Sequence, residues 1–346
     1  MLDKAEIRFL PLGARRVAYE IRGDGPPLVA PAWWISHLEL DWQDAGFRRF
    51  WEGVANGHTL IRYDRLGVGM SDRTLRDSDL SLDGEVATLR TLLDELELER
   101  VSLIGGSSGS CTAVAFAAAF PERVERLVLY GSYADGTALT EPSVGEAILA
   151  AVRAHWGLGS RLLTDIFLGD ADAAEQEHFA QFQREAATAE TAAALLSLVY
   201  RLDVRDRLPL IRLPATVVHR RHDRAVRYRF GREVAAAIPG ATFIPLQGSA
   251  HFPWDGDVDS VVRACRQSLG PVPPSADHEE APPVLLSGRE REILAFVARG
   301  MADREIAEQL VLSPHTVHRH VANIRRKLGR TSRTAAVAEA ARLGLL

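Results

Sequence analysis

The sequence predicts an α/β fold through most of its length, with a small all-α domain after it. Three observations carry this. Apolar runs of strand length alternate with helical segments up to about residue 270, the pattern of a mainly parallel sheet covered on both faces. A polar, proline-rich stretch, GPVPPSADHEEAPP from Gly270 to Pro283, then reads as a semi-rigid spacer with no core to bury. Beyond it come three short helices. The expected boundaries are 1–270 for the first domain, 271–283 for the linker and 284–346 for the second domain. A chain of 346 residues, 47% hydrophobic and 25% charged, has room for two globular domains.

In the first domain, Glu6–Leu10 and Arg16–Ile21 alternate like a hairpin, with Gly13 in its turn. GDGPP leads into a buried strand at Leu28–Ala30 and then into PAWWISHLELDW, where Trp33, Trp34 and His37 crowd one loop. Leu60–Tyr63 reads as the next strand and ends in DRLGVGMSDR. A helix over Asp83–Leu96 leads to a strand at Val101–Ile104, and a second helix from Cys111 to Phe120 is stopped by Pro121. Further strands are expected at Arg126–Tyr130, Ala215–His219 and Thr242–Pro245. Between them, residues 137–209 hold alanine-rich helical stretches.

The chemistry gathers at strand ends. Gly105-Gly106-Ser107-Ser108-Gly109 fits G-x-S-x-G between a strand and a helix, where small residues permit a sharp turn that presents Ser107 above the sheet. Asp223 follows the Ala215–His219 strand, and His251 stands in the GSAHFPWDGD loop after the Thr242–Pro245 strand. Five arginines between Arg220 and Arg229 leave open that Asp223 is a surface ion-pair partner. Asp135, after the Tyr130 strand, is then the reserve acid. His219 and His222 have no Cys, Asp or Glu partners at ligand spacing, so no metal is expected, and no cofactor.

With Ser, Asp and His in that order, residues 5–270 resemble the α/β-hydrolase family. The likeness rests on Ser36-His37-Leu38-Glu39, DRLGVGMSDR, the Ser107 turn, PERVERLVLYGSYADG and HFPWDGD. It implies Ser107 as nucleophile, His251 as its base and Asp223 as the carboxylate that orients the imidazole. It further implies backbone N–H groups of Trp33 and Ser108 as oxyanion donors, and residues 137–209 as a helical cap. Trp34, His37, Trp156, Phe252 and Trp254 are the candidate ligand contacts, joined by Phe167, Phe179, Phe182 and Tyr200 in an apolar, aromatic pocket. Two positions depart from the family. Pro31-Ala32 stands where His-Gly is usual, and Arg220 where a glycine often opens the acid loop.

The second domain begins with Ser287 and Glu290 spaced as a capping box, followed by the apolar stripe Ile293, Leu294, Val297 and a stop at Gly300. A second helix carries Ile306, Ala307 and Leu310. The third opens with Ser313 as cap and Pro314 in its first turn, and buries Val317, Val321, Ile324 and Leu328. Its other face shows His315, His318, Arg319, Arg325 and Arg326, with no acid between Pro314 and Leu328. Such a pair of helices is a helix-turn-helix, whose last helix fits a DNA major groove. Residues 284–346 hold 11 Lys and Arg against 6 Asp and Glu, a net +5, which leaves −10 on the rest of the chain. Only this tail is expected to meet phosphate.

This stretch resembles the LuxR-type helix-turn-helix family of bacterial transcription regulators. The matching residues include Leu286, Arg289-Glu290-Arg291, Glu305-Ile306-Ala307, Thr316-Val317, Asn323-Ile324 and Lys327-Leu328. The resemblance implies DNA contacts from Ser313, Thr316, His318, Arg319 and Arg326, and a homodimer paired through a last helix from about Arg333 to Leu343. Ala302 replaces the Ser or Thr that usually caps the second helix, so Asp303 is expected to take over.

No apolar run approaches the ~20 residues of a membrane span, and MLDKAEIRFL lacks a signal peptide's core, so the cytoplasm is the expected location. Cys111 and Cys265, the two cysteines, fit a reducing compartment. Together these readings predict a DNA-binding regulator whose first domain senses a small apolar ester, lactone or carbonyl compound. The alternative is a working serine esterase or lactonase in which DNA binding is secondary.

Overall fold

The computed structural model describes residues 6–168, 171–270, 286, 288–310, 312–328, 333–342 and 345. It divides into two units, Met1–Val272 and Pro273–Leu346. The proposed linker, 271–283, and the Ser287 cap lie outside the described residues.

In the first unit β1 (Ile7–Leu12) and β2 (Arg15–Arg22) form the expected antiparallel hairpin, turned at Gly13 with φ 63°. Then come β3 (Pro27–Ala30), α1 (Ala45–Val54), β4 (Thr59–Tyr63), α2 (Leu82–Glu95), β5 (Val101–Gly106), α3 (Ser108–Ala119) and β6 (Val124–Tyr130). Every residue of β5 is buried, Ser102 included, as in a strand covered on both faces. α3 is buried from Ser108 through Ala117, and its small side chains let it lie close beneath the sheet.

Four helices occupy most of the expected cap: α4 (Pro142–Ala154), α5 (Trp156–Leu168), α6 (Ala173–Ala186) and α7 (Ala189–Val199). Asp172 and Glu175 form a reciprocal capping box at the start of α6. Buried Gln183 on α6 donates to Ser160 O and Thr164 Oγ1 on α5, each at 3.0 Å, and accepts from Trp34 Nε1 at 3.1 Å. One side chain thus ties the cap to the loop after β3. The unit closes with β7 (Ala215–Arg220), α8 (Tyr228–Ala237), β8 (Thr242–Leu246) and α9 (Val258–Leu269).

The eight strands run in the order β1-β2-β4-β3-β5-β6-β7-β8, antiparallel from β1 to β4 and parallel from there on. One core packs α2, α3 and the cap on one face, with Leu103, Leu129 and Phe116 in it. A second, on the other face, joins Trp33, Phe50, Trp51 and Val261 from the β3 loop, α1 and α9. Strands β3, β5, β6 and β7 therefore end side by side, and the chemistry-bearing loops follow those ends.

The second unit holds α10 (Gly288–Ala298), α11 (Asp303–Leu310), α12 (Pro314–Lys327) and α13 (Arg333–Arg342) around Ile293, Ile306, Val317, Ile324 and Ala340. Glu290 takes part in an ion pair with Lys327 at 2.7 Å, which joins α10 to α12. The expected cap of α11 is corrected here. Asp303 pairs instead with Arg333 at 2.6 Å and with His318 at 3.3 Å, while Glu305 Oε2 accepts the Ala302 N–H at 2.6 Å. A carboxylate three residues into the helix reaches back further than one in its first position.

Candidate active site

Ser107 sits between β5 and α3 with φ 49° and ψ −126°, a conformation natural to glycine and strained for serine. The strain is held by close packing. The Ser107 N–H donates to Tyr130 O at 3.0 Å, and a Cβ on Gly106 would lie 2.6 Å from the Trp33 indole. A Cβ on Gly109 would meet Trp33 Cδ1 at 2.8 Å and Pro31 O at 2.9 Å, so only glycine lets the β3 loop rest on the start of α3. Ser108 Oγ then donates to Trp33 O at 3.0 Å. The Ser108 N–H lies in the first turn of α3, where backbone N–H groups have no partner within the helix.

His251 and Asp223 meet beside this turn. His251 Nδ1 is 2.9 Å from Asp223 Oδ2, and both residues are buried. Asp223 Oδ1 accepts the N–H groups of Ala225 and Val226, each at 3.0 Å, which fixes the carboxylate. The imidazole rests on the end of β6, where a Cβ at Gly131 would stand 3.3 Å from its Cε1. On the other side the ring stacks on Phe167 of α5, with centroids 5.8 Å apart, and the backbone N–H of His251 donates to Phe167 O at 3.1 Å. No hydrogen bond joins Ser107 to His251. Asp135 is placed elsewhere: it caps a short turn through Thr137 and pairs with Arg205 at 3.0 Å.

Two residues nearby went unassigned by sequence reasoning. His219, fully buried in β7, has Nε2 2.8 Å from Val226 O and 3.6 Å from Asp223 Oδ2. Burial lowers its pKa, and because a carbonyl can only accept, the Nε2–H donates the hydrogen bond to Val226 O. Arg220 is likewise buried, and its guanidinium donates to the carbonyls of Ala250, Phe252, Asp255 and Asp257. The residue that departs from the family pattern thus pins both flanks of His251. The only sequence signal is indirect, in the glycines at 248 and 256 that turn the loop around it, with φ 106° and 65°.

A cavity of about 580 Å³ lies alongside, walled by Trp33, Trp34, Phe179, Phe182, Phe252 and Trp254 among others. Neither Ser107 nor His251 is on its wall. Trp254 stacks between Trp33, at 5.3 Å, and Phe252, at 5.1 Å. Four residues expected at the pocket are corrected: Phe167 and Tyr200 do not line the cavity, and neither do His37 and Trp156. His37 Nδ1 accepts from Glu39 and Leu40 N–H in a local turn, and Trp156 Nε1 donates to Ala187 O at 2.9 Å within the cap. In both cases a backbone partner claims the polar atom.

On α12, Ser313 Oγ accepts the Thr316 N–H at 3.1 Å and bonds Thr316 Oγ1 at 2.8 Å. His318 and Arg319 are exposed on the same helix. The side chains of His315 and Arg326 lie outside the described residues.

Residues 42–256 match the family model described as "alpha/beta hydrolase fold", and residues 284–340 the one described as "Bacterial regulatory proteins, luxR family". A 2-hydroxy-6-oxononadienedioate/2-hydroxy-6-oxononatrienedioate hydrolase of Cupriavidus pinatubonensis is 31% identical over 217 residues, 58% of this chain and 72% of that protein. The enol-lactonase of Burkholderia xenovorans is similar in fold, with TM-score 0.64 and 23% identity over 76% of this chain and 99% of that one. So is a meta-cleavage product hydrolase from Pseudomonas fluorescens, with TM-score 0.63 and 20% identity over 78% and 97%.

Proposed function

The chain belongs to the α/β-hydrolase fold family and carries a LuxR-type helix-turn-helix domain, and from that premise we propose that it is a ligand-responsive, DNA-binding transcription regulator. Residues 1–270 bind a small, largely apolar ester, lactone or carbonyl compound; residues 271–283 link this event to DNA binding by residues 284–346. The protein works in the cytoplasm as a homodimer, in which two α12 helices read half-sites about one DNA turn apart. Binding shifts the dimer between states of different operator affinity.

The observation that carries this reading is the 2.9 Å contact of His251 with Asp223, beside a strained Ser107 turn, in a chain that also holds a helix-turn-helix. In turnover, Ser107 Oγ bonds to the carbonyl carbon while His251 Nε2 takes its proton, and Asp223 stabilises the imidazolium. N–H groups of Trp33 and Ser108 receive the oxyanion. The leaving alkoxide takes the proton from His251; water then attacks the acyl group, its proton passes through His251 back to Ser107, and the acid departs. For a lactone, alcohol and acid leave as one molecule.

Fluorophosphonate treatment of the full chain, with mass spectrometry, tests the site. A label on Ser107 that is lost in His251→Ala is expected; its absence from the folded wild-type protein sinks the nucleophile assignment. A binding-only domain is the second reading. It is favoured by the lack of a Ser107–His251 hydrogen bond and by a cavity that neither residue lines.

A further inference from the structure

The charges around the cavity are unevenly spoken for. Its two arginines are both engaged. Arg62 pairs with Asp41 and, at 2.9 Å, with Glu20, and its guanidinium lies 4.4 Å from the centre of the Phe47 ring. Arg220 is spent on four backbone carbonyls. Among the described residues that leaves exposed His178 as the one further basic side chain on the wall.

Of the carboxylates on the wall, Asp41 pairs with Arg62 and Asp257 caps α9. Glu175 closes the capping box of α6, and Asp44 Oδ1 accepts the Phe47 N–H at 2.7 Å. Asp255 stands apart. Asp255 Oδ2 is shut off from solvent and has no hydrogen-bond partner. Asp44 lines the same space, and its Oδ1 and the Trp254 carbonyl both crowd the position a Cβ would take on Gly46. Burial, and then the charge of Asp44, lift the Asp255 carboxyl to about 7, against the opposing pull of Arg220. Around these acids stand Phe47, Phe252 and Trp254, an aromatic wall whose rings pack on one another and suit an apolar body. A carboxylate ligand would enter with no free arginine to receive it. The buried indole N–H groups of Trp33 and Trp51 also lack partners and can donate to a ligand oxygen.

We propose that this cavity selects a ligand with an ammonium group on an apolar body, its charge met by Asp255 beside Asp44 and its body by the aromatic wall, and rejects carboxylates. The inference rests on the reading of the first unit as a ligand-binding domain, and departs from the dioate named for the Cupriavidus relative.

Calorimetric titration of the full-length protein with three probes of one shape tests it: 2-phenylethylammonium, 2-phenylethanol and 3-phenylpropanoate. The ammonium is expected to bind at least tenfold more tightly than the alcohol, and the carboxylate more weakly than either. Asp255→Asn should bring the ammonium down to the alcohol's affinity. Equal or tighter binding of the carboxylate, no detectable binding of the ammonium, or an unchanged preference in folded Asp255→Asn overturns the proposal. The wild-type series stands even if the variant does not fold. Ser107 labelling is scored separately, so failure of the hydrolase site and failure of the charge preference are told apart.

Discussion

Arg220 Nη1 donates to the Phe252 carbonyl at 3.0 Å, so the residue that ends β7 holds the neighbour of His251 by its backbone. Three more carbonyls of the same loop share that guanidinium. Arg220→Met keeps much of the volume and strips all of these donors, leaving several carbonyls without partners. The first unit should lose about 2–4 kcal/mol of stability in urea unfolding. Ser107 labelling should slow with it, because the loop that aims His251 is no longer fixed.

Ser107 offers a test of its strained backbone. Both Ser107→Ala and Ser107→Gly should abolish ester hydrolysis and leave operator affinity unchanged. Only the glycine relieves the positive φ, so Ser107→Gly should be the more stable of the two by about 1 kcal/mol in denaturant unfolding. Equal stabilities would show that the turn carries no strain.

Asp255 predicts a pH effect. Its folded carboxyl holds a proton from the ordinary 3.8 up to about 7, facing Asp44, Glu175, Arg220 and His251. Between those limits the folded state binds more protons than the unfolded state, so this group's contribution to stability falls as pH rises. Asp255→Asn should therefore gain roughly 1–3 kcal/mol over the parent at pH 8 and nothing measurable below pH 4. Urea curves at the two pH values decide it. A binding carboxylate kept at such a cost in stability fits a ligand site.

On α12, exposed Arg319 is the residue whose loss should weaken operator binding without touching the core. Arg319→Ala is expected to reduce affinity about tenfold in gel shifts and, if it meets phosphate, to lower the salt-dependence slope by about 1. An unchanged affinity and slope would remove it from the DNA face.

Much of this was legible in the residues. The G-x-S-x-G stretch announces its turn because Gly106 and Gly109 sit where any side chain would strike the Trp33 loop. Asp223 and Asp135 looked alike because each follows a strand, and spacing along the chain says nothing of distance across a sheet. Arg205 takes one of them and His251 the other. Arg220 read as a departure from pattern, since its partners are backbone carbonyls, which every sequence has. His37 and Trp156 were credited to the cavity for their side chains, yet local hydrogen bonds decide where they point. Charge vacancies such as Asp255 are invisible in sequence, because they depend on what the neighbouring arginines already hold.

The aromatic wall also makes the molecule its own optical reporter. All six tryptophans fall between residues 33 and 254, and four of them, Trp33, Trp34, Trp51 and Trp254, border the cavity. The helix-turn-helix unit has none. Indole emission therefore speaks for the first unit alone, and the second is dark at those wavelengths. A change in emission when unlabelled operator is added would have travelled from one unit to the other, a message between domains read without attaching a dye.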